Sequence, residues 1–407
     1  MTSTDALTLD ELAHSDRVSI VDLVNAILEK ACSTGASDIH IDPSQHDLRI
    51  RMRIDGVLKS VCTLSKNLHS EIIARIKVLA KLRSDEHQTT QDGRFRYQKH
   101  DSSDFVDIRV SIIPIYHGEN AVLRLLTDKG NLFTLESLGF EPSDQKKIER
   151  ALRKPNGMIL STGPTGSGKT TTLYTLIKML SKPDVSIVTI EDPIEYAMHD
   201  IKQIQVNQKT GLTFANGLRS ILRQDPNIIM VGEIRDSETA RIAVNTALTG
   251  HLLLSTLHTN DAATTLPRLL DMGIEEYLVA STVSIAIGQR LVRKICPICR
   301  EKTHLNPVVK EHLASENPKV FSDGEIVFYK GAGCDGCSHS GYSGRICINE
   351  VLVADEKIRK AILEKASADE IKKVAIAGGM TTMFEDGLKK VKAGQTTLEE
   401  VLRVVHE

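Results

Sequence analysis

GMILSTGPTGSGKTTTLYTLIKML (Gly157–Leu180) is the stretch whose reading decides the fold. An apolar, β-prone run, Met158 to Thr162, leads into a loop of the form G-x-x-x-x-G-K-[ST], and Thr171 to Leu180 then reads as helix. Strand, glycine-rich loop and helix in that order make a phosphate cradle. Gly163, Gly166 and Gly168 let the backbone curl and present N–H groups at close range, and Pro164, Thr165 and Ser167 complete the turn. The start of the helix adds its positive dipole end. Lys169 supplies a mobile charge for terminal phosphates, the Thr170 hydroxyl is placed to ligate Mg²⁺, and Thr171 follows in the first turn. The alternative, a glycine-rich turn that fits by accident, has to explain the strand and helix on either side.

Outward from this loop, composition narrows the field. The 407 residues exceed what one simple core needs and suggest two or three domains. Hydrophobic residues are 41%, charged residues 26% and the formal charge is -2, so no global basic field draws the chain to nucleic acid or acidic lipid. Aromatics at 4% and the absence of Trp argue against a base-stacking platform. No apolar run approaches a bilayer-spanning length, and Met1 to Asp16 is polar and acidic, which points to a cytosolic chain. Of seven cysteines, four lie in two C-x-x-C pairs. In a reducing compartment such pairs hold metal more often than disulfides.

Before the loop, Ser19 reads as an N-cap for a helix with Ile20, Leu23, Val24, Ile27, Leu28 and Ala31 on one face, ended by Gly35. Strands follow at Asp38–Asp42 and Leu48–Ile54, with Asp55-Gly56 as a hairpin turn. Arg49, Arg51 and Arg53 alternate with apolar residues, giving a basic strand face that is either solvated or set against a partner. A helix at Glu71–Leu82, a second D-G turn within Gln91–Phe95 and strands at Phe105–Ile112 and Ala121–Leu126 complete a small α+β domain. Lys129-Gly-Asn131 reads as its connector.

Beyond it, short apolar runs at Met158–Thr162, Val185–Ile190, Asn227–Val231 and Leu252–Thr256 alternate with helix-length segments, the pattern of a parallel sheet covered by helices. Polar chemistry stands just after each run, where open α/β sheets bind ligands. Glu191 and Glu195 follow the second run, Glu233 the third and His258 the fourth. Glu233 holds the position of a Walker B acid and is the favoured group to orient a water and accept its proton, with Glu191 and Glu195 as competitors. His258 either senses the terminal phosphate or serves as a structural donor. Arg219 and Arg223, four apart, share a helix face directed toward the Glu233 strand. They are surface decoration or a phosphate clamp.

Cys296, Cys299, Cys334 and Cys337 give the four thiolates of a closed, structural Zn²⁺ site, although the gap between the pairs exceeds the usual ribbon spacing. Cys32, Cys62 and Cys347 read as small buried or incidental thiols. After Glu350 the chain reads as helices at Glu356–Lys365, Ala368–Ala377, Thr382–Ala393 and Leu398–Val405, packed on the nucleotide domain. Thr397 with Glu400 makes a capping box for the last.

Taken in order, ASDIHIDP (Ala36–Pro43), RMRIDGVL (Arg51–Leu58), QDGRF (Gln91–Phe95), DIRVSIIP (Asp107–Pro114), the glycine-rich loop, TIEDPIEY (Thr189–Tyr196), LRSILRQDPNIIMVGEIRD (Leu218–Asp236), LSTLHTNDA (Leu254–Ala262) and GYSGR (Gly341–Arg345) resemble the secretion-ATPase superfamily, specifically its type II secretion and type IV pilus assembly branch. The resemblance implies an α/β fold with a RecA-like P-loop NTPase core over 132–295, an N-terminal α+β (PAS-like) domain over 17–128 behind a flexible tail of 1–16, a zinc-binding tetra-cysteine subdomain over 296–348 and a C-terminal helical subdomain over 349–407. It implies an acidic box from Glu191 to Glu195, a Walker B acid at Glu233, a histidine box at His258, and nucleotide-contacting arginines at Arg94, Arg109, Arg219 and Arg223. Its ligands would be ATP and Mg²⁺, with Zn²⁺ on the cysteines. Its setting would be a cytoplasmic homo-hexamer attached peripherally to the inner membrane through a platform protein and associated components of the machine. Longer members carry an extra N-terminal docking domain, whereas about 16 residues precede the first helix here. Docking then uses another surface, or the chain is truncated, or it belongs to a shorter branch. The alternative within the superfamily is a nucleic-acid-translocating or conjugative-transfer motor, which the near-neutral charge disfavours. A nucleotide-gated scaffold without useful turnover is the non-enzymatic reading.

Overall fold

The computed structural model describes residues 19–99, 105–126, 133–304, 311, 313, 315 and 327–405. The expected flexible tail and the Lys129-Gly-Asn131 connector lie outside the described residues. The chain divides into two compact units, Met1–Lys129 and Gly130–Glu407.

In the first unit, helix α1 (Ile20–Ser33) starts where Ser19 caps it, its side chain accepting from the Asp22 N–H, and it buries Leu23, Val24, Ile27, Leu28 and Ala31. Strands β1 (Asp38–Pro43), β2 (Asp47–Ile54), β3 (Val57–Ser65), β4 (Gln91–Gln98), β5 (Phe105–Ile115) and β6 (Gly118–Leu126) form one antiparallel sheet in the order β3-β2-β1-β6-β5-β4. Helix α2 (His69–Leu79) and α1 cover its apolar face, where Ile39, Ile41, Ile50, Met52, Ile108, Val110 and Leu123 are buried. One expectation changes here, and the basic strand face, solvated as expected, also carries ion pairs. The Gln91–Phe95 segment is the start of β4 and not a turn, and Gly93 stands there because a Cβ would come 2.8 Å from the Ala80 carbonyl and the Leu82 side chain. The Arg49, Arg51 and Arg53 face is paired within the sheet: Arg51 Nε lies 2.6 Å from Asp42, Arg49 Nε 3.3 Å from Asp47 and Arg53 Nε 3.7 Å from Asp38.

The second unit is built on a seven-stranded sheet of order β15-β12-β7-β11-β10-β8-β9. Its strands are β7 (Gly157–Thr162), β8 (Ile187–Glu191), β9 (Lys202–Gln205), β10 (Ile228–Val231), β11 (Leu252–Leu257), β12 (Val283–Ile295) and, after a separate two-stranded ribbon of β13 (Arg300–Thr303) and β14 (Phe328–Gly331), β15 (Tyr342–Val353). All neighbours are parallel except β12 with β15. Because β7, β8, β10 and β11 are buried on both faces, they read as unbroken apolar runs. Helices α3 (Pro142–Leu152) and α4 (Lys169–Leu180) pack one face. Helices α6 (Ser237–Leu248), α7 (Thr265–Asp271) and α8 (Glu276–Thr282), with α5 (Phe214–Ile221), cover the other.

The chain after Glu350 is not helical at once, since β15 runs on to Val353 and crosses the expected 348/349 boundary. Helices α9 (Glu356–Leu363) and α10 (Ala368–Ala377) add Ile358, Ile362, Ile371 and Ala375 to the core over α6–α8. Helices α11 (Met383–Lys392) and α12 (Leu398–Val405) pack on β12 and β15 through Met383, Leu388, Val391, Val401 and Val404. The capping box expected for α12 is half formed. Glu400 N–H donates to Thr397 Oγ1 at 3.3 Å, while the Glu400 carboxylate accepts from Arg293 Nη2 at 2.6 Å and from Arg403. That pairing holds the Glu400 carboxyl down at about 2 despite its burial.

Candidate functional site

Parallel order places four strand ends side by side, and the segment after each carries polar chemistry. The loop after β7 runs from Gly163 to Gly168, whose glycines Gly163, Gly166 and Gly168 take φ of 145°, 79° and 95°, values that side chains with a Cβ rarely adopt. Pro164, Thr165 and Gly166 are exposed, whereas Ser167 and Lys169 are buried. Lys169 opens α4 and donates from Nζ to the carbonyls of Gly163 at 2.8 Å and Pro164 at 2.9 Å. Burial lowers its ammonium to about 8, an effect that Glu233 opposes and Arg290 reinforces. The α4 N-terminus carries no side-chain cap, and the buried Ser167 Oγ has no hydrogen-bond partner. Open amides, an orphaned hydroxyl and a desolvated cation at one helix start suit an oligophosphate. Thr170 and Thr171, both half-buried, occupy the first turn.

Glu233 follows β10 and Gly232 and is 8% exposed. Its carboxylate lies 2.6 Å from Arg235 Nε and 3.2 Å from His258 Nε2. Both partners are exposed. His258 reaches it from the loop after β11, a loop pinned where the Thr259 N–H donates to Thr162 Oγ1 at 3.0 Å and the Ala262 N–H to the buried Glu350 carboxylate at 2.7 Å.

Glu191 closes β8 and is 2% exposed. Its oxygens accept from the Tyr174 hydroxyl, from Thr189 Oγ1 at 2.5 Å and from Gln203 Nε2 at 3.2 Å. Burial raises this carboxyl above the usual range, against those three donors. Glu195 is half-buried nearby, with its N–H 3.4 Å from the Tyr174 hydroxyl.

Two arginine expectations need correction. Only Arg219 lies within α5, because the helix closes at Leu222, and Arg223 beyond the cap turns back to bond the Arg219 carbonyl at 2.9 Å. Nor does Arg219 meet Glu233: its guanidinium is 2.6 Å from Glu238 in the first turn of α6. In the first unit, Arg94 and Arg109 are cross-strand neighbours, and the register continues the row to Arg124, which bonds Asp38 at 3.0 Å. Sequence reading missed Arg124, although its period-two place on β6 carried the signal. It also missed Arg235, two residues beyond Glu233, and Tyr174, the partner of Glu191.

The four expected thiols do converge. Cys296, Cys299, Cys334 and Cys337 have all their sulfur atoms within 4.8 Å of one another, with separations of 3.9 Å for 296–334, 3.8 Å for 299–337 and 3.7 Å for 334–337. A tetrahedron with metal–sulfur bonds of about 2.3 Å requires edges of about 3.8 Å, so the donor set fits Zn²⁺. N–H groups of Cys334 and Gly341 point at Cys337 Sγ at 3.2 and 3.3 Å and bring that thiol down to about 6, favouring the thiolate a metal needs. Among the described residues no helix is long and apolar enough to cross a membrane.

Comparison with known proteins places this geometry. The family model for the type II/IV secretion system protein matches residues 13–403. The type II secretion system protein E of Xanthomonas campestris pv. campestris is 45% identical over 99% of this chain and 71% of its own length, and the type II secretion system ATPase E of Vibrio cholerae is 44% identical over 98% and 78%. The type IV pilus assembly ATPase PilB of Thermus thermophilus is 45% identical over 97% of this chain, which spans 43% of that protein. Among solved structures, the pilus retraction motor PilT with bound ADP aligns at a TM-score of 0.63 with 27% identity over 93% of this chain and 96% of its own. The Legionella pneumophila ATPase DotB shares the fold at a TM-score of 0.69, with 23% identity over 97% of each chain. With a family match over nearly its whole length, this chain belongs to the type II/IV secretion system protein family.

Proposed function

We propose that the chain is the subunit of a hexameric motor that hydrolyses Mg-ATP to drive type II secretion or type IV pilus assembly, working in the cytoplasm against an inner-membrane platform protein. The observation that carries the reading is the parallel order β7-β11-β10-β8, which lines up the Lys169 loop, His258, Glu233 and Glu191 along one edge of the sheet. The names of its relatives support the biological setting.

In this reading the loop amides and Lys169 hold the β- and γ-phosphates, exchanging the Gly163 and Pro164 carbonyls for phosphate oxygens. Thr170 and the acidic side of the site would hold Mg²⁺, which would supply neutralising charge for the terminal phosphates. Glu233 orients the attacking water and takes its proton. Arg235 and His258 hold that carboxylate in place until substrate arrives, and His258 then reports on the terminal phosphate. Glu191 shapes the neighbouring loop up to Glu195. Arg219 and Arg223 serve as cations at the motor face, and Arg94 and Arg109 contact nucleotide. Cys296, Cys299, Cys334 and Cys337 would hold Zn²⁺ as a structural brace where β12 ends and β15 begins.

ATP turnover with Mg²⁺, together with light scattering, tests the reading. A mass of six 44.8-kDa chains and an ATPase activity abolished by Lys169→Ala are expected. A monomer that neither binds nor hydrolyses ATP contradicts it. Arg94→Ala and Arg109→Ala should each lower kcat more than they raise Kd; equal effects on both contradict that role. Cys334→Ser should lose stoichiometric zinc while still binding nucleotide, and full zinc content in that variant overturns the brace.

A further inference from the structure

The glycine-rich loop has a floor that its motif does not describe. β12 lies beside β7 with Gly288 opposite Thr162, so Gln289 comes level with the first residue of the loop. There the fit is tight. A Cβ on Gly163 would stand 2.5 Å from the Gln289 carbonyl oxygen, and one on Gly168 would stand 3.3 Å from Cys347 Sγ on β15. The first and last glycines of the loop thus rest on the antiparallel pair β12–β15, in addition to any demand that phosphate makes.

Gln289 is fully buried, and its amide is at the centre of a polar knot in an otherwise apolar layer. Its Oε1 accepts from Ser161 Oγ on β7 at 2.8 Å. Its Nε2 donates to Thr172 Oγ1 on α4 at 2.9 Å and to Asn349 Oδ1 on β15 at 3.3 Å, and Cys347 Sγ is 3.6 Å away. Ser161 lies two residues before the loop and Thr172 four residues after its last glycine. One rigid amide therefore spans the strand that enters the loop and the helix that leaves it. A network of this kind, buried and satisfied, fixes distance more strictly than apolar contact does, because each lost partner leaves a buried hydroxyl unpaired. The sequence carried one hint: Gln289 interrupts the apolar run VSIAIGQRLV.

We propose that Gln289 is a positioning residue for nucleotide binding, bridging Ser161 to Thr172 and so holding β7 and α4 at the spacing at which the loop amides converge on phosphate. The proposal rests on the reading of the loop as a nucleotide site. Gln289 touches no phosphate itself. Its effect runs through the loop ends and falls on binding of the diphosphate portion common to ADP and ATP, ahead of the chemical step.

The experiment compares full-length wild type with Gln289→Met, Ser161→Ala and Thr172→Val. It reads Kd for fluorescent ADP, KM and kcat for ATP, and the melting temperature without nucleotide. Gln289→Met keeps the side-chain length and removes the amide. It should raise Kd and KM about tenfold or more, equivalent to about 1.4 kcal/mol, with kcat at saturation changed less than about threefold. Ser161→Ala and Thr172→Val, which each remove one arm, should raise Kd by about threefold, and they stand in for Gln289→Met if that variant does not fold. A lower melting temperature with wild-type Kd and KM in these variants would show a merely structural role and overturn the proposal. If wild type itself binds no nucleotide, the function proposed above fails first, and a wild type that binds while every variant matches it sinks only this inference.

Discussion

Two carboxylates end neighbouring stretches of one sheet, and their surroundings could hardly differ more. Glu191, at the end of β8, is surrounded by neutral donors from three elements, Tyr174 of α4, Thr189 of β8 itself and Gln203 of β9, and nearly all its surface is covered. Glu233, beyond β10, is almost as buried but faces Arg235 and His258, whose side chains extend into solvent. A carboxylate held by buried neutral groups stays where it is, since moving it would leave the Tyr174 and Thr189 hydroxyls without their acceptor. One held by exposed ionic partners can exchange them, because Arg235 and His258 are hydrated as soon as they swing away, and a phosphate-bound cation or water can take their place. Position at a strand end therefore supplies candidates for the chemistry. In the proposed function, the partners distinguish the acid that works from the acid that builds.

The largest test of this contrast is Glu233→Gln. Loss of a positioned base should lower kcat by about 10²–10⁴-fold while nucleotide Kd stays within a few-fold of wild type. Steady-state turnover and equilibrium binding measure the two, and a wild-type kcat breaks the contrast. Glu191→Gln should do the reverse. The amide confronts at least one donor with another, costing about 1–3 kcal/mol in stability and lowering the melting temperature by several degrees, with kcat reduced less than about tenfold. A larger loss of kcat than in Glu233→Gln, with unchanged stability, would exchange the two roles.

The smallest effect concerns the cation of the glycine-rich loop, which Glu233 faces. Desolvation puts the Lys169 ammonium at about 8, below its ordinary value. Phosphate requires the charged form, so binding above that pH must take up a proton. Affinity for ADP should be flat from pH 7 to about 8 and then weaken by up to about tenfold per unit as pH rises. Titration calorimetry in buffers of different ionisation heat would detect the proton. An affinity independent of pH up to 9.5 would mean that Lys169 is no more desolvated than a surface lysine.

How much of this was written in the sequence depends on the range of each interaction. The phosphate loop, the Ser19 cap and the strands β7, β8, β10 and β11 are set by residues within one or two turns of each other, and local pattern reveals them. Strands β12 and β15 escaped because their paired residues lie 47 to 68 positions apart and present no alternation where both faces are buried. The four cysteines were legible by spacing alone, even across their long gap, since metal ligands carry their chemistry in residue type. The Glu191 partners were not. Tyr174 and Gln203 belong to a helix and an edge strand whose approach to β8 is a consequence of tertiary packing. Arg223 misled for a related reason: a four-residue spacing implies a shared face only while the helix lasts, and α5 ends first.

The most direct measurement of the central claim is a crystal structure of the wild-type chain with Mg²⁺ and a non-hydrolysable ATP analogue. The account predicts the triphosphate on the Lys169 loop, Arg235 withdrawn, and a Glu233 oxygen within about 3 Å of a water in line with the γ-phosphate. A structure in which Glu233 keeps its contact with Arg235 while Glu191 has left Tyr174 to meet that water would contradict it.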